Sequence, residues 1–177
     1  QVFCNGTNTS VINFTTENTL GSTIYNWTNS NPSIGLLGSG SGSIQSFSAI
    51  NNGPIPLVAT IVVTPTYTYA GVTCTGDPKT FTITINPSGV VDQPDPQVFC
   101  NESMATINLT TTSSVGVTSY SWTNTAPSIG LQSGAGSNIP TFMADNPGNS
   151  PVVGTIVVTP TFTYAGLSCV GISKTFT

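Results

Sequence analysis

Thr60-Ile61-Val62-Val63-Thr64-Pro65-Thr66-Tyr67-Thr68-Tyr69 puts Ile61, Val63, Pro65, Tyr67 and Tyr69 on one face and mostly threonines on the other. Period two with β-branched and aromatic residues is the pattern of a half-buried β-strand. The pattern returns at Thr155–Tyr164, where Ile156, Val158, Pro160, Phe162 and Tyr164 take the same face. Phe81, Ile83 and Ile85 alternate with Thr80, Thr82 and Thr84 in the same way. Neither copy holds a segment of helical periodicity. Proline cannot donate to a ladder, so Pro65 predicts a bend or an edge in its strand.

Working outward, the whole chain repeats. Gln1-Val2-Phe3-Cys4-Asn5 matches Gln97-Val98-Phe99-Cys100-Asn101, and Tyr25-Asn26-Trp27-Thr28-Asn29 matches Tyr120-Ser121-Trp122-Thr123-Asn124. Asn31-Pro32-Ser33-Ile34-Gly35-Leu36 matches Ala126-Pro127-Ser128-Ile129-Gly130-Leu131, again 95 residues on. One residue is lost between Cys100 and Ile107, and the register then holds. One fold, duplicated, is the reading. The expected domains are 1–87 and 97–177, joined by a Pro-rich spacer at 88–96. Thr177 falls inside the strand that continues to Asn86 in the first copy, which suggests a segment of a longer array.

Strands expected at Val2–Asn5, Val11–Thr15, Ser22–Asn29, Ile34–Leu37 and Ser43–Ile50 join the two above, about seven per copy. Gly38-Ser39-Gly40-Ser41-Gly42 reads as a flexible turn. The fold class is therefore all-β: two tandem antiparallel β-sandwiches of the immunoglobulin type. The four cysteines, Cys4, Cys74, Cys100 and Cys169, fall one pair per copy, separated by 70 and 69 residues. Two disulfides within the repeats are expected, with four buried free thiols as the alternative. In such a sandwich the first strand and the turn before the last strand would share a pole. Disulfides in turn imply an oxidising, extracytoplasmic setting.

Composition removes several functions. Charged residues make up 5% of the chain, there is no Arg or His, and Lys79 and Lys174 are the only basic residues. At a net charge of −4 no face can neutralise a run of phosphates, which argues against nucleic acid and anionic membranes. No apolar run is long enough for membrane insertion. The cysteines stand in no metal-binding spacing, and no carboxylate pair recurs in both copies. No metal, no cofactor and no enzymatic activity are expected.

Trp27 and Trp122, each two residues after Tyr25 or Tyr120, invite sugar stacking. Their strand parity favours core packing instead. Lys79 and Lys174 lack a recurring acidic neighbour for an isopeptide bond and read as exposed. Asp92 and Asp95 are too few for calcium and read as solvated spacer residues.

Cys near the start, Tyr-x-Trp-Thr-Asn, Pro-Ser-Ile-Gly-Leu, Thr-Ile-Val-Val-Thr-Pro, Cys-x-Gly and Lys-Thr-Phe-Thr together resemble the PKD-like repeats of very large Bacteroidota cell-surface adhesins. The resemblance covers essentially the whole chain. Thr28-Asn29 and Thr123-Asn124 stand where PKD domains proper carry an acidic Gly-Asp-Gly loop, which places the likeness in the PKD-like branch. It implies an Ig-like fold, export by the type IX route, and a structural role in a filament serving adhesion or gliding motility at the cell surface. The partners it implies are neighbouring repeats of the same chain. Surface polysaccharide, bound by loops at one pole, is the alternative.

Overall fold

The computed structural model describes residues 1–177. The chain is all-β, apart from two single-turn 3-10 segments, and divides into Gln1–Asn86 and Pro87–Thr177.

In the first unit the alternating stretch becomes β4 (Leu57–Tyr69), with β1 (Val2–Cys4), β2 (Ser22–Asn29) and β3 (Ser39–Ser41) before it. After it come β5 (Val72–Thr75) and β6 (Lys79–Asn86). The sheet order is β1-β6-β4-β2-β3, and β5 pairs with the far end of β4. Pro65 sits inside β4, where β4 changes partner on one edge from β6 to β5. Its carbonyl accepts from the Gly76 N–H at 2.9 Å, so the missing donor falls in the gap between those two strands.

The opposite layer is a looser ladder. Thr7 to Ile12 bonds to Ile44 to Ala49 through isolated bridges rather than continuous strands. Ile44 and Ala49 from that layer meet Trp27, Ile61, Val63, Ile83 and Ile85 from the sheet, and all are buried.

The second unit repeats this plan with β7 (Met104–Ala105), β8 (Val117–Asn124), β9 (Gly134–Gly136) and β10 (Phe142–Met143). It continues with β11 (Ile156–Tyr164), β12 (Leu167–Val170) and β13 (Lys174–Phe176). Its main sheet runs β12-β11-β8-β9 with β13 also on β11, and β7 and β10 form the small facing sheet.

Three expectations change. Ile34–Leu37 is not a strand: Pro32–Ile34 is a 3-10 turn ended by Gly35 at φ 96°, and Pro127–Ile129 with Gly130 does the same. A side chain on either glycine would run into a carbonyl oxygen, of Ser48 or of Met143. Gly38 to Gly42 is not simply a flexible turn, because Ser39–Ser41 pairs with β2 in register Trp27↔Gly40. The Trp27 ring occupies the space a Gly40 side chain would need, and a Cβ on Gly134 would lie 2.8 Å from Trp122 Cζ2. Residues 88–96 are not a free spacer either. Val91 is buried in the second core, Gly89 N–H bonds to the Cys169 carbonyl, and Asp92 N–H bonds to the Thr110 carbonyl.

The cysteine pairing is a correction. Cys4 and Cys169 are disulfide-bonded, whereas Cys74 and Cys100 are exposed free thiols. β1 runs parallel to the end of β6, with Cys4 opposite Asn86, while Cys74 sits opposite Tyr67. Since Ile85 faces Leu57, ten residues of β4 separate the two levels, about 33 Å at strand rise. A disulfide tolerates a Cα separation of only about 7 Å. In the second unit Gln97 N–H bonds the Thr177 carbonyl, beside Phe176↔Ile156, while Cys169 faces Phe162. Six residues of β11 therefore intervene, about 20 Å. The first strand and the β4–β5 turn lie at opposite poles.

Two outcomes follow. Under non-reducing native conditions a thiol reagent should modify Cys74 and Cys100 and spare Cys4 and Cys169, as peptide mass mapping would report. Gly134→Ala should destabilise the second unit by about 1–3 kcal/mol in chemical denaturation, through overpacking against Trp122.

Candidate functional site

The buried polar groups that recur in both copies are asparagines. Asn29 Nδ2 donates to the Leu36 carbonyl at 3.0 Å, and its Oδ1 accepts from the Asn31 N–H at 2.9 Å. Asn124 repeats this with the Leu131 carbonyl at 2.8 Å and the Ala126 N–H at 3.0 Å. These amides tie down the Pro-Ser-Ile-Gly turn that follows each Trp strand. Their task is construction.

Asn51 and Asn146 occupy a second pair of matching positions, and here the copies diverge, since Asn146 is only partly buried. Asn51 is fully buried and its Nδ2 donates twice, to the Ile55 carbonyl at 2.8 Å and the Ile85 carbonyl of β6 at 2.7 Å. Asn146 Nδ2 donates to the equivalent loop carbonyl, Ser150, at 2.9 Å.

The second unit carries a groove of about 280 Å³. Ile107, Leu131, Ile156 and Phe176 form its apolar floor, while Phe99 and Val153 stand at its rim and Asn146 supplies an amide. The rim is exposed: Val98 is 94% accessible, whereas its counterpart Val2 is partly buried beside β6.

The first unit carries a cleft of its own. Phe14, Tyr25, Tyr67 and Phe81 line it, and the Tyr25 and Thr23 hydroxyls are buried without a hydrogen-bond partner. In the second unit Val91 and Asp92 lie against the corresponding residues, Leu109 and Tyr120 among them.

Of the sequence candidates, Trp27, Trp122 and Tyr120 are buried, and Tyr25 is partly buried against the first core. Trp122 Nε1 donates to the Gln132 carbonyl at 2.9 Å, whereas Trp27 Nε1 has no partner. Lys79 is exposed and opens β6, opposite Val63. Asp92 is not an idle spacer residue, since its Oδ2 accepts from the Thr110 hydroxyl at 2.6 Å. Sequence reasoning overlooked the asparagines and Val91. The asparagines' recurrence at matching positions was the available signal.

Burial raises the Tyr120 hydroxyl above the usual phenol range, and the negative charge of Asp92 adds to the rise. No helix is long and apolar enough to cross a membrane. Set against protein-family models, curated proteins and solved structures, the chain matches none.

Tyr120 makes a pH-dependent contribution. Its folded pKa lies above the unfolded value of about 10, so the contribution is complete below that pH and is lost as pH rises through the folded pKa. Tyr120→Phe should flatten the alkaline decline of the second unit's stability. Asp92→Asn should shift tyrosinate formation at this residue to lower pH, as monitored by ultraviolet absorbance.

Proposed function

We propose that the chain is a pair of structural repeats from a long extracellular adhesin or surface filament of the PKD-like kind. The observation that carries this reading is repetition of construction. The Trp-on-glycine packing, the asparagine-braced turn and the β4/β11 strand are each built twice from matching residues. What recurs at matching positions holds the fold together. Neighbouring repeats are the partners this reading supplies, and the disulfide favours an oxidising compartment. Export by the type IX route, gliding motility and placement on a bacterial surface enter through the family resemblance alone. The role is mechanical and non-catalytic.

The first unit's cleft favours a second reading, a carbohydrate-binding module. Its four aromatic rings and two unpartnered hydroxyls are the groups that stack on and hydrogen-bond to a sugar. A glycan array combined with labelling of intact cells separates the readings. The structural reading expects antibody to label unpermeabilised cells and the array to stay silent. Saturable glycan binding, lost in Tyr67→Ala without a change in unfolding midpoint, would move the assignment to the second reading. Labelling only after permeabilisation would remove both.

A further inference from the structure

The edge strands β3 and β9 come from segments of equal length, yet they pair one residue out of step. Seven residues separate Leu36 from Ile44, and seven separate Leu131 from Ile139. Leu36 and Ile44 are buried in the first core, and Leu131 and Ile139 in the second. Both ends of each segment are therefore pinned at matching positions. Between the pins, Trp27 stands opposite Gly40 and Asn26 opposite Ser41, whereas Trp122 stands opposite Gly134 and Ser121 opposite Ala135. Counted from the bend glycines, Gly35 and Gly130, the indole meets the fifth residue in the first unit and the fourth in the second.

The two registers share the residue type under the ring. A Cβ on Gly40 would overlap Trp27 Cζ2, and one on Gly134 would lie 2.8 Å from Trp122 Cζ2. With the registers exchanged, Ser39 would face Trp27 and Ala135 would face Trp122, and each carries that Cβ. Burial does not make the choice, because glycine, serine and alanine give neither face of the strand an apolar side chain to hide. Hydrogen bonding does not make it either. The second unit's register gives Trp122 Nε1 the Gln132 carbonyl, while the first unit's leaves Trp27 Nε1 buried without a partner. Leu37, the counterpart of Gln132, would be the acceptor if β3 took the other register. The first unit forgoes that bond and keeps a glycine under the ring.

We propose that the glycine beneath the indole is the register key of each edge strand, and that β3 and β9 are two-register elements whose position follows it. The connections on either side absorb the one-residue difference, as the two copies demonstrate with equal lengths. The Asn backbone beside the turn adjusts with the register. Asn29 N–H bonds the Gly38 carbonyl at 2.8 Å, whereas Asn124 N–H bonds the Ser133 hydroxyl at 3.2 Å. A complete exchange of registers therefore carries Ser133 along with the glycine.

The variant G38S/S39G/G40A/S41G gives the full chain, at 38–41, the residues found at 133–136. Cross-strand nuclear Overhauser contacts should then place Trp27 opposite residue 39 instead of residue 40. Its indole N–H should gain the Leu37 carbonyl and exchange with solvent about tenfold more slowly, as one added hydrogen bond allows. The reverse exchange, S133G/G134S/A135G/G136S, should move Trp122 from residue 134 to residue 135 and speed its indole exchange. G38S alone should leave the pairing as it is, since Gly40 stays in place and a Cβ at 38 meets only Pro32 Cγ, at 3.5 Å. Trp27 still opposite residue 40, or Trp122 still opposite residue 134, would overturn the proposal, as would a register shift in G38S. Unfolding of the altered unit in both exchanges would overturn it too, because a strand that follows its glycine folds with the glycine in either place.

Discussion

Each unit hangs on one strand that is longer than the strands beside it. β4 gives one edge to β2 over eight residues, and shares the other between β6 and β5. β11 does the same with β8, β13 and β12. A strand whose backbone groups are taken on both edges cannot slip by one residue without turning its isoleucines and valines out to water. That register in turn fixes the rest. It sets Trp27 over Gly40, places the Asn29 amide under the Pro-Ser-Ile-Gly turn, and carries Cys74 away from Cys4.

Matching residues of the two copies have different neighbours. In the first unit Ile83 and Ile85 close one end of the core, and the cleft by Tyr25 stays open. In the second unit Val91 packs with Leu109 and Tyr120, and Asp92 lies near the Tyr120 hydroxyl. The same residue types therefore sit in different environments. Tyr120 is 4% exposed and feels Asp92, while Tyr25 keeps a buried hydroxyl without a partner. Ile83 through Asp92 has apolar residues at both of its ends, Ile83 and Ile85 serving the first core and Val91 the second. A stretch that reads as a spacer by its prolines is thus structural along much of its length.

Much of this was legible in the sequence. Alternation over Thr60–Tyr69 and Phe81–Ile85 depends only on side-chain period, and those strands form where that period places them. The Ile34–Leu37 segment misled because Ile-Gly-Leu has strand-like composition, while Pro32 and the left-handed Gly35 bend it into a turn. Glycines at 40 and 134 read as flexibility because the indoles that need their missing side chains are distant in sequence. The cysteines misled for a topological reason. An antiparallel entry for the first strand would have brought Cys4 and Cys74 to one pole, and β1 instead enters parallel to β6. No local pattern records that choice.

A chain with so few charges must also control its sheet edges without the lysines that usually guard them. It does so with length and backbone chemistry. β3 and β9 are three residues each, built of glycine, serine and alanine, and offer an incoming strand little apolar surface. β5 and β12 are four residues long and reverse through Ala70-Gly71 and Ala165-Gly166, whose positive φ angles match a tight hairpin. Pro65 and Pro160 remove a donor at the point where the partner on that edge changes. Threonine-rich surfaces keep the rest of the sheet wet, so strand addition is discouraged along these edges.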